Sequence, residues 1–472
     1  MQRHGHFACP AQFRETGVRR VGQEVVGPRV RAMTVVDDVD RKTQSLPVRL
    51  AVLLEQTPGA GGGYHQSINA ALAISRLPAS LCDPVFVGTS GRNAPALEAA
   101  GIRLEHLRFS FMDQILLRLR RFAATRALAR FTRRLLGANP LDRHLARLDV
   151  ELVYFTSPSP LALSLDDVPY IFTVWDLCHR DEVEFPEIRV DREFEHRERL
   201  FRAATTKAVA VIVDSNTSAA SVAARYGVDG HRISVQPFSP APGLVPDGPE
   251  PSAPPPDSGP QHQFGEPYVL YPAQFWAHKN HAYIVRGLER LAAEYGANIR
   301  AIFPGGDKGN RKFVRDLAAE LGVGDQVVFP GMVSDQELRQ LYQGAFCVVM
   351  PTYFGPTNMP PLEAFLLGAP LLYSSHLAEQ AGDAALLLDL DDPGDLARKL
   401  QSLIKNPEQR EALIERGRDR YRSLVDAEQA QRELEGVLQR FRSKRRAWGR
   451  EFDPSKKEGP DRDQPLVGRN AS

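Results

Sequence analysis

Two charged side chains stand where the chain changes from strand-like to helix-like. Lys279 lies in "YPAQFWAHKNH", residues 271–281, after an apolar run and before a helical pattern. An ammonium at that junction sits beside the free N–H groups of a helix start, an arrangement that suits a diphosphate. Glu363 lies in "PTYFGPTNMPPLEAFLLGAP", residues 351–370. The Gly-Pro-Thr-Asn kink ends a strand, and Pro360 and Pro361 suit a helix start, where a missing N–H costs little. The spacing places Glu363 in the first turn of that helix. A carboxylate there accepts two neighbouring hydroxyls, such as those of a ribose. A third candidate is Gly59-Ala60-Gly61-Gly62-Gly63, a turn after the first strand whose backbone could meet an anion at a helix N-terminus. Each has a plainer counterpart: a solvated lysine, a dipole-complementing glutamate worth ~0.3–1 kcal/mol, a flexible turn.

Other patterns are set aside. The glycine run lacks the G-x-G-x-x-G form with a ribose-binding acid ~20 residues on, which disfavours a nicotinamide dehydrogenase. His278 and His281 lack an acidic third ligand. "LDLDD", residues 388–392, resembles a metal motif, but Asp392-Pro393 reads as an N-cap followed by proline at the first helical position. "DEVEFPE", residues 181–187, is an acidic loop that could meet acceptor hydroxyls or simply face solvent.

The elements that must position these residues follow from the pattern. The chain has 472 residues, 43% hydrophobic and 25% charged, with a net charge of +1. It is long enough for two domains, and nothing in its overall charge favours nucleic acid. The four cysteines form no CxxC pair, which fits a reducing cytosol. No apolar run reaches membrane-span length, and no secretory leader is legible. Residues 1–45 are Arg-rich and aperiodic and read as a disordered extension, with Met33 as an alternative start. Short apolar strands alternating with helices fill 46–240 and restart over 267–425, which predicts two α/β domains with doubly wound parallel sheets. A Pro-rich linker is expected over 241–266, a C-terminal helix over 426–448 and a disordered tail over 449–472. In such sheets ligands bind outside the carboxyl ends of the strands, so all the loops above could share one cleft. Residues 111–137 carry seven arginines on an amphipathic pattern and suggest docking on an anionic membrane surface.

Taken together, "GGGYHQS", "VIVDSNTSAASVAARYGV", "RISVQP", "YPAQFWAHKNH", "FPGGDKGN", "VVFPGMVSDQELRQLY" and "MPTYFGPTNMPPLEAFLLGAPLL" resemble a retaining glycosyltransferase of family 4 with the GT-B fold. The resemblance spans about 48–425. It implies a nucleoside-diphosphate sugar held by the second domain, a glycan or lipid-linked acceptor held by the first, and no essential metal or other cofactor. It implies a cytoplasmic enzyme, peripheral to the membrane if 111–137 docks. By the same resemblance Glu363 holds the ribose and Lys279 neutralises the diphosphate. Asn358, Met359 and Leu362 offer amides, Gly305 and Val333 border the base, and Gln274 and Asn280 join the donor site. Gly62 and Gly63 form the phosphate and acceptor loop.

Three positions depart from the family pattern. Gly355 stands eight residues before Glu363, where a first glutamate is usual. Gln274 replaces an arginine five residues before Lys279, and Trp175-Asp176 replaces His-Asp. Thr357, Asn358 and Asp176 are the expected substitutes for the missing sugar contacts. Two alternatives stay open on the residues alone: a catalytically inactive binding protein, and a nucleotide-sugar 2-epimerase.

Overall fold

The computed structural model describes residues 46–120, 139–245 and 267–448. The first of two parallel sheets contains β1 (Val48–Leu54), β2 (Cys82–Gly88), β3 (Leu104–His106), β4 (Leu152–Phe155), β5 (Tyr170–Thr173), β6 (Ala210–Val213) and β7 (Ile233–Val235). Their order is β3-β2-β1-β4-β5-β6-β7. The second contains β8 (Tyr268–Leu270), β9 (Arg300–Pro304), β10 (Val327–Gly331), β11 (Cys347–Met350), β12 (Leu371–Ser374) and β13 (Ala385–Leu388). These run β10-β9-β8-β11-β12-β13. Both orders reverse direction once, which makes each sheet doubly wound, the architecture expected from the alternation of strands and helices.

The helices that bear on the site, numbered in chain order, are α1 (Gly62–Ser75), α2 (Glu193–Lys207), α3 (Asn216–Tyr226), α4 (His281–Tyr295), α5 (Met359–Leu367), α6 (Pro393–Lys405), α7 (Pro407–Leu424) and α8 (Ala427–Arg445). Central strands such as β4, β6, β8 and β11 are apolar along their whole length because helices cover both faces. In β1, Ala51 and Leu53 face one core while Leu50, Val52 and Leu54 face the other, the two-residue period of a strand. The second of these cores is closed by Ile68, Ala71 and Ile74 of α1 and by Leu434, Val437, Leu438 and Phe441 of α8. Thus α8 follows the second domain in sequence but packs on the first. Arg445 Nη2 reaches Glu151 Oε1 at 3.2 Å, and Gln236 Nε2 donates to the Ala430 carbonyl at 3.0 Å. In the second domain α4, α5 and α6 contribute Ile284, Leu288, Phe365, Leu396 and Leu400 to one continuous core.

Three of the sequence readings meet the structure directly, and the second is borne out. The segment expected as linker from 241 is anchored at its start: Ala241 and Leu244 are buried in the second core, and Arg339 Nη2 donates to the Gly243 carbonyl at 2.7 Å. Asp392 caps α6, accepting from the Gly394 N–H at 2.9 Å, with Pro393 at the first position. Of the basic stretch 111–137, Phe111–Arg120 forms a helix whose first residues, Phe111 and Met112, are exposed; residues 121–137 lie outside the described residues. Among the described residues no helix is long and apolar enough to cross a membrane.

Candidate active site

The loops after β1, β5, β8, β9, β10 and β11 converge on one cleft of about 1060 Å³ between the sheets. Lys279 follows β8 and Glu363 follows β11, and these two strands are neighbours at the point where the second sheet reverses its order. The crevice opens there because successive crossovers leave to opposite faces. The two residues singled out first in the sequence are thus brought together by topology, although 84 positions separate them.

Lys279 ends a single 3-10 turn, Ala277–Lys279, and Asn280 then takes a left-handed conformation (φ 55°) to enter α4. The ammonium lines the cleft. Among the described residues it has no carboxylate partner within ion-pair distance. Burial pushes its pKa down to about 8, partly offset by the fields of Cys178, Asp176 and Glu187. A lysine held this way is an electrostatic vacancy: an arriving anion both gains and restores charge.

The turn before α5 is built around Gly355, which has φ 97°. A Cβ there would sit 2.9 Å from the Thr357 carbonyl oxygen and 3.0 Å from Asn358 Nδ2, so a side-chain carboxylate has no place at 355 in this conformation. α5 begins at Met359, which puts Glu363 in the second turn rather than the first. Its buried carboxylate is held from two sides: Tyr342 Oη donates to Oε2 at 2.7 Å, and the Ala241 N–H donates to Oε1 at 3.4 Å. Burial raises its pKa, and these bonds oppose the rise. Each oxygen keeps a lone pair for a further donor. At the helix start Asn358 N–H is taken by Gln380 Oε1 at 2.8 Å. Pro360 and Pro361 have no N–H, and Leu362 N–H falls within the helical ladder. The Met359 N–H is therefore the first-turn donor left for a ligand.

The first-domain wall begins with the glycine loop. The N–H groups of Gly62 and Gly63 make no hydrogen bond among the described residues, and the loop lies against the second domain. A Cβ on Gly62 would be 3.3 Å from Met359 Sδ, and one on Gly63 would be 2.8 Å from the Trp175 ring. The starts of α1, at Gly62, and of α5, at Met359, are therefore neighbours in the cleft that Lys279 also lines. Below Trp175, the Arg197 guanidinium of α2 donates to Asp176 Oδ1 at 2.5 Å and to the Asp176 carbonyl at 3.1 Å. Burial alone would raise the Asp176 pKa, but Arg197 outweighs it and holds the carboxyl below its usual value. The acidic loop closes the wall: Glu187 Oε1 accepts from His278 Nδ1 at 2.5 Å and from the His278 N–H at 3.0 Å. Burial pushes His278 down to about 4, so the imidazole is neutral and Nδ1 carries the proton.

The expected residues divide cleanly. Lys279, Glu363, Asp176, Gln274, Gly305, Val333, Thr357, Asn358, Met359, Gly62 and Gly63 line the cleft. Gly305 lets two backbones touch, since a Cβ would lie 2.2 Å from the Ala273 carbonyl oxygen. Asn280 and Leu362 do not line it: Asn280 serves the entry to α4, and Leu362 faces a second cavity. Thr357 and Asn358 border the cleft but their side-chain donors are engaged elsewhere. Thr357 Oγ1 donates to Asp214 of the first domain. Asn358 Nδ2 donates to the Phe354 and Gly355 carbonyls and to Tyr373 Oη at 3.3, 3.2 and 2.9 Å. Asp176, the third expected substitute, also lines the cleft and is held by Arg197. Sequence reasoning missed Arg197, Glu187 as a bridge to His278, and Tyr342. Arg197 was hidden in "EFEHRERL", where alternating charges look like a solvated helix face.

Comparison with known proteins adds a pattern and a fold. Residues 258–420 match the family model described as glycosyl transferases group 1. An uncharacterized glycosyltransferase of Methanocaldococcus jannaschii is 32% identical over 113 residues, 24% of this chain and 28% of that protein. A D-inositol 3-phosphate glycosyltransferase of Stackebrandtia nassauensis is 30% identical over 141 residues, 28% of this chain and 32% of that one. The chain thus spans about a third of the length of these curated relatives. The crystal structure of Anabaena Alr3699/HepE in complex with UDP-glucose superimposes with a TM-score of 0.61 at 15% identity, covering 84% of this chain and 99% of that one. The fold is GT-B, and its second domain carries the glycosyl transferases group 1 pattern.

Proposed function

We propose that the chain is a glycosyltransferase that moves a hexosyl group from a nucleoside-diphosphate sugar to a hydroxyl of a glycan or lipid-linked saccharide, with retention at the anomeric carbon. One observation carries the reading: an unpaired, pKa-depressed Lys279 lines one cleft together with two helix starts, at Gly62 and Met359, and with Glu363. That set suits an anion joined to a vicinal diol, which is a nucleoside diphosphate. Glu363 accepts the ribose hydroxyls, oriented by Tyr342. Lys279, the Met359 N–H and the Gly62 and Gly63 N–H groups stabilise charge as the diphosphate leaves, an electrostatic role. Asp176, held ionised by Arg197, accepts a sugar hydroxyl. The acceptor hydroxyl enters on the face that the diphosphate leaves. The UDP-glucose complex of the structurally similar Anabaena protein makes uridine donors the first to try.

A binding-only protein is the second reading. The absence of a carboxylate at Gly355 and the engagement of Thr357 and Asn358 favour it, because they thin the sugar contacts. The test is calorimetry of the full chain with a panel of nucleoside diphosphates, followed by hydrolysis and transfer assays with the matching sugars. Micromolar binding with turnover is expected. Binding without turnover of any donor selects the second reading, and no nucleotide binding refutes both.

A further inference from the structure

The charges of the cleft differ between its two sides. On the second-domain side Lys279 and Lys308 stand against Asp335 and Glu363, so the lining charges there balance. Lys279, Glu363 and the helix starts at Gly62, Gly63 and Met359 are what the proposed function assigns to the donor. The rest of the first-domain wall is acidic. Its lining contains Asp176, Glu187, Asp191 and Glu193 against one cation, Arg197. Four carboxylates and one guanidinium leave a net charge of −3. Arg197 is already bonded to Asp176, and His65, also in this wall, is kept neutral because burial lowers its pKa. The loop carries two arginines of its own, Arg189 and Arg192, yet neither lines the cleft. Consecutive left-handed residues, Asp191 (φ 54°) and Arg192 (φ 61°), shape the turn at which they alternate. Arg189 is turned back onto the Val183 carbonyl at 3.0 Å. Two indoles, Trp175 and Trp276, line the same cleft. Among the described residues the Trp175 N–H has no partner. Carboxylates with aromatic faces bind hydroxyls and the C–H faces of a sugar ring. They repel a phosphate, and the remaining lining cation, Lys308, sits exposed over the Trp276 ring at 5.6 Å.

We infer that the acceptor end entering this cleft is an uncharged polyhydroxyl, a neutral sugar residue, and that acceptors bearing a phosphate near the reacting hydroxyl are excluded. The inference rests on the proposed glycosyl transfer and sets this chain apart from its D-inositol 3-phosphate relatives, which are matched over a third of their length only. A phosphorylated acceptor needs a free lysine or arginine on the acceptor wall, and the described residues supply none there.

The test uses the full chain with its best donor and matched acceptor pairs: myo-inositol against D-inositol 3-phosphate, and methyl glycopyranosides against their 6-phosphates. The neutral member of each pair is expected to accept at least tenfold faster, and Asp191→Asn combined with Glu193→Gln to shrink that ratio severalfold. A phosphorylated acceptor used as fast as its neutral parent overturns the inference. So does a panel in which no neutral polyol accepts, or a ratio unmoved by the double substitution. Nucleoside diphosphate calorimetry on the same samples reads the donor site separately, so a failed acceptor inference and a failed functional reading give different results.

Discussion

Replacing Lys279 with methionine should stabilise the free protein and disable it. The two effects have one cause. The ammonium is half-buried without a carboxylate partner among the described residues, and its pKa falls from 10.5 to about 8. Between those values the unfolded chain holds a proton that the folded chain does not. The folded state is therefore penalised below pH 8, and the penalty lifts as the pH rises from 8 towards 10.5. Allowing for its partial exposure, the penalty at pH 7 is about 1–3 kcal/mol. Methionine keeps the stem and removes the charge, so melting at pH 7 should occur a few degrees higher than in the wild type, with the difference vanishing near pH 10.5. Function moves the other way. A unit charge 4 Å from a phosphate oxygen is worth ~4 kcal/mol gross at an effective dielectric of 20. Removing one such preorganised group costs ~10²–10³ in turnover. The wild-type kcat/KM, which reports the free enzyme, should fall as the pH rises through about 8, because the proton that leaves is the one the diphosphate needs. Thermal melts with and without nucleoside diphosphate, and rates at pH 6–10, measure all three effects. A variant that melts lower than wild type and transfers within threefold of it refutes the reasoning.

Three further substitutions probe the site. Glu363→Gln keeps the contact with Tyr342 in shape but weakens acceptance of the ribose hydroxyls, by about 1.5–3 kcal/mol; calorimetry should show a ~10–100-fold loss of nucleoside diphosphate affinity, and an unchanged constant rules out the ribose role. Gly355→Glu replaces the missing carboxylate in sequence yet should lower stability by ~1–3 kcal/mol without raising turnover, because its Cβ meets the Thr357 carbonyl at 2.9 Å; a gain in rate at unchanged melting temperature contradicts this. Arg197→Gln removes the partner that keeps Asp176 ionised. The depressed carboxyl value should rise, so the acid limb of the rate profile moves to higher pH, and an unmoved limb shows that Asp176 is not used.

Much of this protein was legible in its residues. Apolar runs such as "VRLAVLL" and "CVVM" can only be strands covered on both faces, and their alternation with amphipathic helices dictates parallel sheets. Lys279 and Glu363 were visible because each follows such a strand at a helix entry, a position defined by local sequence. Asp392 was likewise readable as a cap, since Asp-Pro-Gly specifies its own geometry. Contacts between distant segments were not readable. Whether Arg197 turns inward depends on where α2 packs, and whether Thr357 is free depends on Asp214, 143 residues away. Asn358 looked like a sugar contact until Gln380 and Tyr373 were seen to hold it. A polar side chain carries no local mark of its partner, because hydrogen bonds are short-ranged and are settled last, by the packing of elements that the apolar pattern has already placed.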